Sequence, residues 1–406
     1  MKRRDLLKGL TVLPLAGGIL SESATGAELS GGASVVSAAA KRDLFKELGI
    51  RTFINARATL TFMTGSLMQD EVLDAINNSS RRYCMLDELQ DKVGAKIAEL
   101  CHAEAATVTS GAFSAIMLGT AGVLSGNDPK KAAMIPHLAG SGMKTEVIMQ
   151  KGHNIGYYQA MQNCGVTMVW IETREELEQA ISDKTAMMAF MNCNTNSGKI
   201  KHQEWLEVAK KHNIPTLIDI AADVPPIENL WKFNEMGFDL VCLSGGKAIR
   251  GPQSSGVLMG KKDLIAAARI SASPRASTIG RGHKVNKEEI LGLYVAIDRF
   301  IRKGEEEWNY WLKQIAHIEN AVKNIKGVKT RVFVPEIANA TPNLEISWDP
   351  AILPLTGEQV QNGLRNGDPG IELNFGKNNI SLVTFIMVPG EEKIVATRIR
   401  EELTKV

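Results

Sequence analysis

Apolar residues follow two alternating rhythms along this chain. From Asp70 to Leu100 they recur at helical spacing, interrupted by the polar pair Asn77-Asn78, and lead into a small-residue segment from Ala105 to Gly126. Short apolar runs of strand length follow at Ala132-Ile135, Glu146-Met149, Thr167-Ile171, Ala186-Met191, Thr216-Ile220 and Leu240-Leu243. Stretches with helical spacing lie between them, at Ile155 to Asn163, Glu175 to Ile181 and Gln203 to His212. This alternation predicts an α/β fold with a mostly parallel sheet wrapped on both faces. Ligands of such sheets sit outside the carboxyl ends of the strands, so the residues just past each run carry the chemical interest. A long helix is expected over Lys287 to Ile325, with breaks. Beyond it, Lys329 to Val334, Asn343 to Trp348, Ile371 to Asn374 and Ile380 to Val388 read as strands, interleaved with helices at Gly357 to Leu364 and Glu391 to Thr404. The pattern predicts a large domain over residues 41–300 and a small α+β domain over 301–406.

The first 40 residues follow neither rhythm. Lys2-Arg3-Arg4-Asp5-Leu6-Leu7-Lys8, an apolar run from Gly9 to Leu20 and small residues near Thr25-Gly26-Ala27 form the three-part layout of an export signal. The paired arginines resemble a twin-arginine signal, which implies transport of the folded protein and a periplasmic or exported location. A basic amphipathic N-terminus is the alternative. The apolar run is too short to span a bilayer, so no stable membrane insertion is expected. Residues 1–27 are read as the signal and 28–40 as a flexible leader.

Composition narrows the function. The chain has 406 residues, 44% hydrophobic and 23% charged, with a net charge of +2, which suggests neither disorder nor binding of nucleic acid through bulk charge. Five cysteines stand far apart without metal-ligand spacing, so neither a disulfide framework nor a metal site is expected.

Four segments carry candidate chemistry. Ser244-Gly245-Gly246-Lys247 follows an apolar strand and sets one lysine among small residues that let a planar ring approach the backbone. A lysine in a tight, partly dry pocket there can form an imine with an aldehyde. Taken alone, a surface lysine after a glycine turn fits as well. Upstream, Asp219 ends the apolar run Thr216-Leu217-Ile218, where a carboxylate is costly unless a cation meets it. It either caps the next helix or faces a protonated pyridine nitrogen, and together with Lys247 it favours pyridoxal 5'-phosphate. Ser110, Gly111 and Ala112 open a helix of small residues whose free N–H groups suit a phosphate. His153 follows the run Glu146-Met149, at a place where an imidazole could stack on the ring or be merely structural.

The order Ser110-Gly111, His153, Asp219, Lys247 resembles that of the fold-type-I, aspartate-aminotransferase-like pyridoxal-phosphate enzymes. The segment Ser244 to Lys247 with Gly251-Pro252-Gln253 is similar to the SelA-like family, and within it to the branch of D-glucosaminate-6-phosphate ammonia-lyases. Ile54 to Thr61, Leu86 to Gln90 and Gly280 to Glu289 support the match. The resemblance implies Lys247 as the Schiff-base lysine, Asp219 as partner of the pyridine nitrogen, and Ser110, Gly111, Ala112 and Ser244 as phosphate contacts. It implies His153 as the stacking residue and Arg57, Asn196, Arg281 and Lys284 as substrate contacts, in a homodimer or higher homo-oligomer.

One expected feature is missing. Ile380 to Gly390 holds no arginine, whereas many enzymes of this fold grip the substrate carboxylate with one there; Arg57 or Arg365 would have to replace it. The basic transfer-RNA-binding portion of selenocysteine synthases is also absent, which removes that activity. The expected reaction is α,β-elimination with ammonia release from a hydroxy-amino acid or amino-sugar acid, giving a 2-oxo acid. Racemase, aldolase or aminotransferase chemistry would use the same parts, and a catalytically inactive cofactor-binding protein is a further alternative.

Overall fold

The computed structural model describes residues 42–405, so the signal and leader expected over 1–40 lie outside the described residues. The chain divides into Met1–Arg51 and Thr52–Val406. In the first, a five-residue helix covers Leu44–Leu48, capped by the Asp43 carboxylate. The second holds everything that follows.

It opens with a short strand, β1 (Phe53–Asn55). Seven strands then form the large sheet: β2 (Ala105–Thr109), β3 (Glu146–Gln150), β4 (Thr167–Ile171), β5 (Thr185–Met191), β6 (Thr216–Asp219), β7 (Leu240–Ser244) and β8 (Gly256–Gly260). Their order is β2-β8-β7-β6-β5-β3-β4. Only β8 runs antiparallel to its neighbours, so the sheet is mostly parallel, as expected. The middles of β3 to β7 are apolar because both faces are covered. Met188 and Phe190 of β5, Ile218 of β6 and Val241 of β7 enter one core, while Met187 and Ala189, Leu217 and Leu240 enter the other. That is the period-two alternation of a strand, with apolar side chains on both faces.

The helix Gly111–Ser125 lies in the second core and is buried along most of its length. Its small residues allow this. A Cβ on Gly122 would stand 2.6 Å from Ala268 N in the helix Lys262–Ile270, closer than side chains approach backbone. The opposite face is covered by Leu86–Leu100, His202–His212 and the first half of Lys287–Val322.

Beyond that long helix, β9 (Val328–Phe333), β10 (Asn343–Trp348), β11 (Gly370–Glu372), β12 (Asn374–Phe375) and β13 (Asn379–Val383) build the smaller part. An antiparallel sheet has the order β12-β13-β10-β9, and β1 pairs with β11 in parallel. A third core lies between these strands and the helices Gly357–Arg365 and Glu391–Thr404.

Several local expectations are corrected. Ala132-Ile135 is not a strand; Pro129–Met134 is helical, because the Asp128 carboxylate caps it and Pro129 suits its first turn. Only Gln159–Gln162 is helical within 155–163. The 36-residue helix Lys287–Val322 runs without a break and carries the chain across position 300. The helix expected from Asp70 breaks over 80–85, just after Asn77-Asn78, into Asp70–Ser79 and Leu86–Leu100. β13 stops at Val383, where the Thr384 hydroxyl turns back to donate to Trp311 O (3.0 Å).

Candidate functional site

The carboxyl edge of the large sheet places the candidate residues side by side. Asp219 is the last residue of β6, in register with Met191 of β5 and Cys242 of β7. Lys247 stands three residues past Ser244, the end of β7. Both line one cavity of about 310 Å³. Its other walls are the segment Ala58 to Thr61, the turn Ala221 to Asp223, Tyr157, Cys193 and Asn339.

Asp219 is buried, and Ala221 N–H donates to its Oδ1 (2.8 Å). Burial raises its pKa, while that hydrogen bond and the charge of Lys247 act in the opposite direction. Asp223 is also buried. Burial is the main cause that pushes its pKa up to about 6, with Asp219 adding to it and Asn192 and Lys247 opposing it. Ala338 N–H donates to Asp223 Oδ1 (3.1 Å), whereas Oδ2 is buried without a partner. The Cys193 thiol is pushed up to about 12, first by burial and then by the two aspartates. This cavity therefore concentrates negative charge and offers a place for a cation.

The loop after β7 folds back on itself. A Cβ on Gly245 would stand 2.2 Å from Ser255 Oγ, and one on Gly246 2.6 Å from Gln253 Cα. Those glycines thus serve close packing of the loop's own return, rather than the approach of a guest ring. Gly256 lies in register with both Thr109 and Ser244, so β8 draws the end of β2 and the end of β7 toward each other.

Gly111 (φ +83°) has open space where a Cβ would stand and begins the 15-residue helix. Ser110 makes no cap hydrogen bond to it. Its Oγ lies 3.0 Å from Ser114 Oγ, which in turn lies 2.6 Å from His283 Nδ1. The first-turn N–H groups of Gly111 and Ala112 are left for an anion.

The remaining candidates are more scattered. His153 is fully buried; Met191 N–H donates to its Nδ1 (3.2 Å), and its ring meets Phe190 edge-on at 4.4 Å. Burial lowers its pKa to about 4. The structure does not bring His153 to the cavity, and a ring without exposed surface has no face to offer a guest. Tyr157, four residues later, does line it and is exposed. Arg57 is partly buried, its Nε donating to Asn374 Oδ1 (3.2 Å), next to the wall segment but not itself lining the cavity. Arg365 grips Glu372 with two hydrogen bonds of 2.6 and 2.9 Å, which occupies the guanidinium. Asn196 and Lys284 are exposed and Arg281 is half-buried; none lines the cavity. Tyr157, Asp223, Cys193 and Asn339 are lining residues that the sequence reading did not single out. For Asp223 a signal existed: it is a second carboxylate four positions after Asp219.

Residues 69–274 match the aminotransferase class-V family. The chain belongs to that family. It is 26% identical over 373 residues to the D-glucosaminate-6-phosphate ammonia lyase of Salmonella typhimurium, covering 88% of this chain and 97% of that one. It is 25% identical to a 5'-C-glycyluridine monooxygenase-decarboxylase of Streptomyces sp, covering 88% and 92%. A solved structure of D-glucosaminate-6-phosphate ammonia-lyase superposes with a TM-score of 0.76 at 26% identity, covering 89% of this chain and 98% of that one. The fold-type-I expectation is borne out, and so is the likeness to the ammonia-lyase branch.

The cofactor is pyridoxal 5'-phosphate, and the residues present fit it. A buried acid and a lysine share one cavity, an aromatic side chain lines it, and an uncapped helix N-terminus starts at the same sheet edge. Asp219 would meet the pyridine nitrogen, Lys247 would bind the aldehyde carbon, and the first turn after Ser110 would take the phosphate.

Proposed function

We propose that this enzyme is a pyridoxal-phosphate-dependent lyase that releases ammonia by α,β-elimination from a hydroxy-amino acid or amino-sugar acid. The observation that carries the reading is the shared cavity of Asp219 and Lys247, the two groups this chemistry needs on one ring. The similarity to an ammonia lyase along 88% of the chain supports the reaction class. When bound, the cofactor supplies an electron sink for the bond broken at the α-carbon. Asp219 keeps a proton on the ring nitrogen. Lys247 Nζ takes the α-proton and returns a proton to the departing β-hydroxyl, which leaves as water. Hydrolysis then consumes one water, so the net products are ammonia and a 2-oxo acid. Ser110, Gly111, Ala112 and Ser244 are proposed as phosphate contacts, and Arg57, Asn196, Arg281 and Lys284 as groups that meet the substrate.

The proposal extends to location and assembly. The twin-arginine-like start supports cofactor loading before transport and action in the periplasm. Phosphorylated sugars are scarce there, so the substrate is taken to lack the phosphate. Phe62, Tyr83 and Met85 are the most exposed of the large apolar side chains among the described residues and are proposed as contacts of a homodimer or higher homo-oligomer. A panel of D- and L-hydroxy-amino acids, with D-glucosaminate and its 6-phosphate, assayed for ammonia and 2-oxo acid, tests the reading. Release of both products from a non-phosphorylated member is expected. Turnover of the phosphate ester alone removes the substrate proposal, and no ammonia from any member removes the lyase.

A further inference from the structure

A second, larger cavity of about 650 Å³ lies between the segment Leu67 to Asp70, the middle of the long helix Lys287–Val322 and the turn Met387 to Pro389. It shares no lining residue with the cavity of Asp219 and Lys247. Arg250 lines it and is only 9% exposed. Its Nε donates to Leu67 O (2.7 Å), the one hydrogen bond of this guanidinium among the described residues. No carboxylate among them stands within ion-pair distance of it. Glu307, the nearest acid by its influence, is already held by Arg299 and by Gln69 Nε2 (3.0 Å). Burial lowers the Arg250 pKa and the charge of Arg299 adds to this, while Glu307, Asp70 and Glu391 act in the opposite direction without reaching ion-pair distance. A buried guanidinium in that condition is costly unless an anion joins it.

A second orphan lines the same cavity. Gln314 is 2% exposed; its Nε2 donates to Glu392 Oε2 (3.3 Å), which fixes the orientation of the amide. Its Oε1 is left buried without a donor. Tyr310, Trp311 and Met387 supply apolar wall. The volume falls in the usual range for small-molecule sites, roughly 300–1,000 Å³. An unpaired cation, an unpaired acceptor and apolar wall together describe a particular kind of guest.

We propose that this cavity is a binding site for a small hydroxylated or aminated organic acid, whose acid group pairs with Arg250 and whose hydroxyl or amino group donates to Gln314 Oε1. The acid group is a carboxylate or a phosphate, since a guanidinium fork suits either. The site also touches the catalytic loop. Arg250 N–H donates to Lys247 O (2.9 Å), and Arg250 is held in the left-handed region at φ +59°. A guest on the guanidinium therefore bears on the single turn that carries Lys247.

The test is calorimetric titration of the holoenzyme with D-gluconate, the carboxylate probe, and with D-glucose 6-phosphate, the phosphate probe. Hexanoate, which lacks hydroxyls, is the third titrant. At least one of the first two is expected to bind at millimolar concentration or below, at least tenfold more tightly than hexanoate. Binding should weaken at least tenfold in Arg250→Met and severalfold in Gln314→Leu, and it should survive Asp223→Asn, which alters only the other cavity. Arg250→Lys, retaining charge without the fork, should fall between wild type and Arg250→Met, and with Gln314→Leu it decides the matter if Arg250→Met does not fold. The proposal is overturned if neither hydroxylated acid binds, if binding is indifferent to Arg250 and Gln314, or if Asp223→Asn abolishes it.

Discussion

Gly256→Ala is expected to damage the phosphate cradle without unfolding the protein. The added Cβ would stand 2.5 Å from the carbonyl carbon of Gly111 and 2.8 Å from Ala112 N, whereas ordinary contact begins at 3.4 Å. Both contacts are backbone, so no side chain can swing aside. Either β8 or the first turn of the helix Gly111–Ser125 must retreat by close to 1 Å. β8 is hydrogen-bonded on both sides, to β2 and β7, which leaves the helix start as the part that yields. Displacements of about 1 Å at a reacting site cost on the order of 100-fold in rate, and overpacking costs about 1–3 kcal/mol in stability. Titration of the apoenzyme with pyridoxal phosphate, followed by absorbance, should give a Kd raised about 10- to 100-fold. The melting temperature should fall by a few degrees only. Unchanged cofactor affinity in a folded variant would refute the idea that this turn holds the phosphate.

Other perturbations address other parts of the site. Asp219→Asn should retain cofactor but lose about 100-fold or more in turnover, because a neutral amide does not hold the ring nitrogen protonated; near-normal turnover would contradict that role. Asp223 carries a pKa of about 6 in the fold, above the ordinary 3.8, so its contribution to stability is fully present below pH 3.8 and is lost as pH rises through 6. In apoenzyme melts, Asp223→Asn should therefore gain on the wild type between pH 3 and pH 7, by up to roughly 3 kcal/mol; a gap independent of pH would count against it. His153→Leu should lower the melting temperature and leave cofactor affinity within about threefold, whereas Tyr157→Ala should weaken cofactor binding by about tenfold, the worth of one aromatic contact. The reverse pattern would restore His153 to the stacking place.

Much of this arrangement is legible in the chain because it rests on local rules. The runs over β3 to β7 are apolar without interruption, which only a sheet buried on both faces permits, and Asp219 and the Gly-Gly-Lys247 turn stand at the ends of two of them. The two strands at one end of the sheet order, β2 and β8, are harder to see. β2 is mostly alanine and threonine, and β8 is flanked by glycines, so their strand character comes from pairing with β7 and with each other rather than from their own composition. His153 has the right place in the order, yet position along a strand does not tell which way the next turn points; the Met191 N–H and Phe190 draw the imidazole inward. Arg250 reads as one more loop arginine, and only the fold reveals that Leu67 O is the sole hydrogen-bond partner of its guanidinium among the described residues. Asp223 stands in the sequence as a second carboxylate four positions after Asp219, but its contact with Ala338 N–H is visible only in the fold.

Reduction of the purified holoenzyme with borohydride, followed by peptide mapping by mass spectrometry, tests the central claim most directly. A pyridoxyl-phosphate mass on Lys247, with loss of the visible absorbance band and no labelling in Lys247→Ala, is the predicted result. A label on another lysine, or none on a protein that binds the cofactor, would contradict it.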